Sequence, residues 1–510
     1  MIKIYAQNTH CKIVYDETEE NDKRVSEDIL KNKFKAEDSA LKYLQRTRSK
    51  HISAYRSFYI EEKNLLPVGF LPFLEEYYKQ EEIEYQINDL RKYPSVDKEF
   101  LRELFEDRYS ENGYIPRDYQ ISAVKRVLKN RGGIVQLSMG SGKTYVAYIL
   151  CKAYREHKIL LLFNRVNLVH QTREKFIEYG MDENEIGVIQ GPNFQDDKRV
   201  TLLSVDSYEK AYGLFPEIKV LIADEAHEVG SGDGSDQATK VLWSCQNAPI
   251  RIGLSATADA IDNNYRQMAL YGNLGPIVID RQIKDQVDEG VLADLDIEMH
   301  EVNCDPIPIC GSYADIYEKQ KIKEADKEVV EHDGWEFVKE GNQYYARHFQ
   351  QHGDESTHYV FNDYRNKKIA ELAKKHKRVM ILFVRKEHGR RLKELLPDAI
   401  LVDGDNTQEE RENAKEFLKE HKDNIILAST IFGQGVDIPH IHTLILAGGG
   451  RGTVPVIQRF GRATRKDKGT EKEKAKIIDF YDTFSNLAIS QSKRRKGIYE
   501  DKLGFKVKMI

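Results

Sequence analysis

Cysteine is scarce in this chain: there are five in 510 residues, at Cys11, Cys151, Cys245, Cys304 and Cys310. No two form a C-x-x-C pair and no ligand-like spacing appears, which argues against both a disulfide framework and a zinc site. Long apolar runs are missing as well, since none approaches the roughly 20 residues that span a bilayer. The first residues, MIKIYAQNTHCKIVYDETEE, turn polar and acidic before any apolar stretch develops, unlike a secretory signal. These absences predict a protein of a reducing cytosol, without a membrane partner. An excess of one charge is also lacking, because the formal charge is −5 with a pI near 6.4. The surface as a whole is therefore no polycation for nucleic acid, although a local basic stripe could still neutralise phosphates.

What is present is the balance of a folded mixed α/β protein, 40% hydrophobic and 32% charged with 33 Gly and 13 Pro. At about 150 residues per domain the length suggests three or four units. From about 115 to 258 short Ile/Val/Leu runs alternate with amphipathic stretches: GIVQL, TYVAYILCKAYREH, KILLLF, LVHQTREKFIEYG, VTLLSV, KVLIADEAH and RIGLSAT. Runs of this length suit strands buried on both faces, so the pattern predicts a doubly wound parallel sheet with helices on each side. A second series with the same grammar runs from about 365 to 485, through RVMILFV, AILVD, NIILAST, HTLILAG and KAKIIDFYD. Two such lobes in tandem imply a cleft between them. Residues 1–110, rich in Tyr, Glu and Lys, read as an additional N-terminal α/β domain. The expected division is 1–110 for that accessory, DNA-binding domain, 111–295 for the first lobe, 296–362 for a linker or insertion built as a helix and a short aromatic hairpin, and 363–510 for the second lobe.

Two segments carry chemistry on their own residues. Ser138-Met139-Gly140-Ser141-Gly142-Lys143-Thr144 follows the run GIVQL and precedes a helical stretch, the context a phosphate-binding loop requires. Gly140 and Gly142 let backbone N–H groups approach phosphate oxygens, and the following helix offers its positive end. Lys143 is expected on the β and γ phosphates of ATP, and Thr144 on Mg²⁺. The usual formula has Gly where this chain has Leu137. Asp224-Glu225-Ala226-His227 follows the run KVLIA, so both carboxylates emerge at the C-terminal end of a buried strand, where ligands bind in open sheets. Asp224 is expected to support Mg²⁺, and Glu225 to orient and deprotonate the attacking water. An isolated acidic pair there would more often be a helix cap; beside a phosphate loop it reads as catalytic.

Over residues 113–485 the chain resembles the superfamily-2 helicases of the DEAH-box kind, whose core is two RecA-like lobes closing on one nucleotide. The resemblance implies that Gln120, with Arg117 beside it in IPRDYQ, meets the adenine base, and that His227, Ser255, Thr257 and Gln458 couple hydrolysis to movement. It implies that Gly435 and Asp437, in GQGVDIP, touch the γ phosphate and ribose. In QRFGRATR, Arg462 and Arg465 match the arginine fingers of the family, reaching the γ phosphate from the second lobe. Nucleic-acid contacts implied by the resemblance are Asn164, Arg165, Gly191, Ser204, Arg385 and Thr430, for each of which a plain loop or cap role competes. The run Lys493-Arg494-Arg495-Lys496 reads as a solvated helix face rather than a phosphate contact. The expected activity is that of an ATP- and Mg²⁺-dependent DNA helicase or translocase, acting as a monomer on single-stranded, duplex or branched DNA in a bacterial or phage-infected cytosol. Similarity to branch-migrating and fork-remodelling helicases favours that role. An RNA helicase or duplex-RNA translocase, and an ATP-gated clamp without sustained unwinding, are the alternatives.

Overall fold

The computed structural model of the protein describes residues 1–15, 18–47, 53–110, 112–229, 237–261, 264–290, 293–302, 329–332, 335–340, 343–349, 359–421, 423–429, 441–449, 474–484 and 486–510. Contacts divide it into two compact units, Met1–Gln282 and Ile283–Ile510.

Among the described residues the first unit contains three sheets, the smallest being the antiparallel pair Lys35–Glu37 and Tyr55–Ser57. The N-terminal one has four strands, in the order Leu65–Pro67, His10–Val14, Ile2–Ala6 and Tyr85–Asp89. Ile2–Ala6 pairs antiparallel with His10–Val14 and parallel with Tyr85–Asp89. Alternation buries Ile2, Ile4 and Ala6 against Ile29, Leu30, Leu74 and Tyr78 of the helices Glu20–Lys33 and Leu71–Gln80. This domain does not stand apart from the first lobe. A Cβ at Gly69 would lie 2.1 Å from the Tyr271 carbonyl oxygen, so the absent side chain is what lets the two backbones touch. Phe58 stacks on Tyr265 at 4.9 Å and Phe73 on Tyr271 at 5.7 Å.

The lobe sheet has eight strands, ordered Asn193–Phe194, Ile186–Gln190, Val200–Ser204, Ile159–Phe163, Val220–Ala223, Ile250–Ser255, Gly132–Leu137 and Ile277–Arg281. Asn193–Phe194 is antiparallel to its neighbour, and the other pairings are parallel. The five strands the sequence predicts here are all present, and each is buried along its whole length. Ile186–Gln190 and Ile277–Arg281 escape that reading because their apolar runs are short and broken by Gly187 and Asp280.

The second unit is a seven-stranded, all-parallel sheet, ordered Ile400–Val402, Ile425–Ser429, Val379–Phe383, Thr443–Leu446, Lys474–Asp482, Asp294–Val302 and Val507–Met509. Asp294–Val302 pairs with Lys474–Asp482 over nine positions. The chain therefore enters the second sheet before residue 303, whereas the sequence reading assigned this strand to the first lobe and the linker. Alternation of Leu295, Ile297 and Met299 with acids disguised it. Within the expected insertion lies a three-stranded antiparallel sheet, Val329–His332, Trp335–Glu340 and Gln343–Phe349. The helix expected there lies outside the described residues.

The basic run near the C-terminus needs correction. It sits in the helix Asn486–Gly497, but Arg495 is 1% exposed rather than solvated. Its Nε donates to Asp479 at 2.8 Å and its Nη2 to the Phe480 carbonyl at 2.7 Å, while Tyr499 donates to the same Asp479 at 2.5 Å. Helical spacing puts Arg495 on the inner face while Lys493 and Arg494 stay outside the core. Removing one member of a buried pair strands the other charge. Arg495→Ala is expected to destabilise the second unit by about 3–5 kcal/mol, read by denaturant unfolding, with Lys493→Ala near neutral.

Candidate functional site

In a parallel sheet every strand delivers its C-terminal end to the same edge, so the topology alone aligns the residues that follow each strand. Along the first lobe, that edge carries in order Gly191, Ser204, Asn164, Asp224, Ser255 and the loop that begins at Ser138. Residues far apart in sequence thus fall into a row, with the phosphate loop and acids toward one side and the nucleic-acid candidates toward the other.

The loop is shaped by Gly140 and Gly142, at φ +79° and +82°, a region costly for any side chain. Gly142 caps the helix Lys143–Ala153, whose unpaired N–H groups suit an anion. Lys143 Nζ donates to the carbonyls of Leu137 at 3.2 Å and Ser138 at 3.3 Å. Ser141 is buried and donates from Oγ to the Ser138 carbonyl at 2.6 Å. Met139 and Thr144 are neither fully buried nor part of the core.

Gln120 holds this loop. Its Nε2 donates to the Ser141 carbonyl at 2.9 Å, and its Oε1 accepts from the Arg117 backbone N–H at 2.9 Å. The amide has a second N–H and a second lone pair for an adenine base. Tyr119, which the sequence did not single out, donates to the Ser141 carbonyl at 2.8 Å and accepts from Arg117 at 3.0 Å. Periodicity makes Tyr119 look like a core residue; only the fold brings its hydroxyl to the loop.

The acids stand opposite. Burial, reinforced by Glu225 and opposed by the Lys143 ammonium, pushes the Asp224 carboxyl up to about 7. Glu225 has φ +45°, a left-handed conformation that costs a non-glycine residue about 1 kcal/mol or more. Its Oε2 is buried without a hydrogen bond, 3.4 Å from His227 Nδ1. Burial holds His227 below the ordinary imidazole range despite Glu225 and Glu228, so the ring is neutral near pH 7. His227 Nδ1 lies 3.1 Å from Ser255 Oγ, which accepts from the Thr257 N–H at 3.0 Å. His227, Ser255 and Thr257, the residues expected to couple hydrolysis to movement, are thus one connected group.

On the other side of the row, Arg165 donates to Glu228 at 2.5 Å, an ion pair the sequence did not indicate. Ser204 is buried with no hydrogen bond on Oγ, and Asn164 Nδ2 is likewise buried without a partner. The Gly191 N–H donates to Ser207 Oγ at 3.0 Å. In the second unit Arg385 is exposed just past the strand Val379–Phe383, capping the helix Lys386–Leu395. Thr430, Gly435, Asp437, Gln458, Arg462 and Arg465 lie outside the described residues. Cys11, Cys151 and Cys245 are free, buried thiols pushed up to about 12 by burial. Among the described residues no group of His, Cys, Asp and Glu is arranged to hold a metal ion by itself, and no helix is long and apolar enough to cross a membrane.

Residues 113–260 match the family described as "Type III restriction enzyme, res subunit", and residues 364–467 match "Helicase conserved C-terminal domain". Both halves of a helicase core are thus matched, and the chain resembles the superfamily-2 helicases. As such, this helicase uses ATP, and its two family matches bracket the loop, the acids and the arginine motif. Among curated proteins it is similar to the DNA 3'-5' translocase XPB2 of Sulfurisphaera tokodaii, 26% identical over 399 residues, covering 74% of this chain and 86% of that protein. It is also similar to the ATP-dependent DNA helicase uvsW of Enterobacteria phage T4, 23% identical over 466 residues, covering 86% of this chain and 84% of that one. Among solved structures, a fragment of a putative HsdR subunit of a type I restriction enzyme from Vibrio vulnificus YJ016 shares the fold, with a TM-score of 0.54 at 18% identity, over 81% of this chain and 71% of that one.

Proposed function

We propose that this helicase is a DNA motor whose substrates are branched molecules, such as forks and recombination intermediates. The observation that carries the reading is the single sheet edge on which the phosphate loop and Asp224 share one row with the strand ends bearing Asn164, Ser204 and Gly191, with the Asp224 N–H bonded to the Leu162 carbonyl of the neighbouring strand and Arg165 paired with Glu228 beside the acids. ATP chemistry and strand contact share one rigid row, so a change at the nucleotide is felt at the nucleic acid.

Glu225 accepts a proton from the attacking water, whose oxygen bonds to the γ-phosphorus as the bond to the β–γ bridging oxygen breaks. Lys143 offsets the charge on the phosphoryl oxygens, a task the family resemblance also assigns to Arg462 and Arg465, as it assigns Gly435 to the γ phosphate, Asp437 to the ribose and Gln458 to coupling. Thr144 and Asp224 offer the hard oxygen donors that Mg²⁺ takes. The raised Asp224 carboxyl and the unbonded Glu225 Oε2 fit that ion, which when bound supplies electrostatic stabilisation to the triphosphate. Asn164, Arg165, Ser204, Gly191, Arg385 and Thr430 grip phosphates, positioning the strand without reading its sequence.

DNA is preferred over RNA because the similar proteins, XPB2 and uvsW, are named for DNA. The first 110 residues hold 22 Asp and Glu against 19 Lys and Arg. Their role toward DNA is therefore one of shape rather than bulk charge. ATPase rates measured with single-stranded, duplex and branched DNA and with RNA, alongside strand displacement on each, test the reading. Stimulation and displacement are expected to be greatest on branched DNA. Stimulation by RNA alone overturns it, and binding with no displacement makes the chain a clamp.

A further inference from the structure

The turn at Gly191 is fastened to the segment that follows Val200–Ser204. Besides the bond from the Gly191 N–H to Ser207, the Lys210 ammonium donates to the Gly191 carbonyl. The same segment, Val205–Ala211 and its continuation, carries a row of rings. Tyr208 and Tyr212 meet edge to face at 5.7 Å and 67°, and Tyr212 and Phe215 do so at 5.7 Å and 77°. Tyr208 and Phe215 are 7% and 1% exposed, whereas Tyr212 between them is 52% exposed. A lone exposed aromatic on a protein surface needs no explanation. This one is different in being fixed between two buried rings, so that its orientation is set before anything binds. Cations accompany it: Lys240 Nζ lies 5.4 Å from the centre of the Tyr208 ring, and Lys210 sits on the Gly191 turn. Phe194, on the other arm of that turn, is 51% exposed.

We propose that Tyr212 is a base-stacking residue, receiving an unpaired base of the strand whose phosphates run past Gly191 and Ser204. The inference rests on the phosphate track proposed above and adds to it the contact that the track lacks. Main-chain and hydroxyl grips hold a backbone equally well whether its bases are paired or free, while a ring held open to solvent accepts only an unstacked base. Stacking on an aromatic ring tolerates any base, because each has a π face, and flanking lysines supply the charge that such platforms use. A sequence-independent preference for single strands follows from these residues.

The test uses the full chain and two probes, an oligothymidylate and an abasic strand of equal length. The wild type is expected to bind the normal strand about tenfold more tightly than the abasic one. Tyr212→Ala should lose most of that ratio while leaving KM for ATP unchanged. Tyr212→Trp should keep the ratio, and its added indole fluorescence should be quenched by the normal strand alone. If Tyr212→Ala discriminates the two strands as the wild type does, stacking here is wrong although the phosphate track stands. If the wild type binds neither strand, the track falls as well.

Discussion

Glu225→Gln is expected to lower ATP turnover by about 10²- to 10⁴-fold, the range over which a positioned base contributes, while ATP and DNA still bind. The substitution keeps the shape of the side chain and removes only its ability to take a proton. Glu225 is held in a left-handed backbone conformation with an unbonded buried carboxylate oxygen, two costs with no structural return. Strain and an unmet acceptor together mark a group kept ready for a reaction rather than for stability. Neutralising it also relieves the repulsion that helps push Asp224 up, so ATP binding is expected to hold or tighten slightly. Single-turnover hydrolysis with a parallel nucleotide-binding titration checks this. Wild-type strand displacement by the variant would exclude a motor.

Arg462→Ala is the second large effect, a loss of about 10³- to 10⁵-fold in turnover if the residue acts as an arginine finger. The argument is electrostatic. As the γ-phosphoryl group transfers, charge gathers on its oxygens, and the first lobe offers Lys143 as the cation of its loop. A guanidinium stays charged at any working pH and donates two parallel hydrogen bonds, so Arg462→Lys should rescue little. Because the interaction is made in the transition state, KM for ATP should move far less than kcat. Equal losses in ATP affinity and turnover would make Arg462 a binding residue. Unchanged turnover in both Arg462→Ala and Arg465→Ala would overturn the assignment of either residue as an arginine finger.

The fold was legible where apolar runs were short, continuous and β-branched. GIVQL, ILLLF and VLIA had to be strands buried on both faces, and parallel strands require crossovers, so the doubly wound lobes followed. Asp294–Val302 was misassigned because its alternating pattern is that of a half-exposed strand, and nothing local says which sheet it joins. Arg495 was misread for a similar reason. Four consecutive cations look like a solvated face until Asp479, sixteen residues earlier on another element, is placed beside the third of them.

By itself the sequence determined that a phosphate loop, an acidic strand end and an arginine motif coexist in two α/β lobes, because strand burial and loop chemistry are written in neighbouring residues. Only the tertiary structure decided which strand ends lie side by side, that His227 meets Ser255, that Gln120 and Tyr119 clasp the loop, and that the N-terminal sheet is joined to the first lobe at Gly69. Those contacts join residues separated by 21 to 202 positions, and a linear chain records the partners of such contacts without recording their meeting.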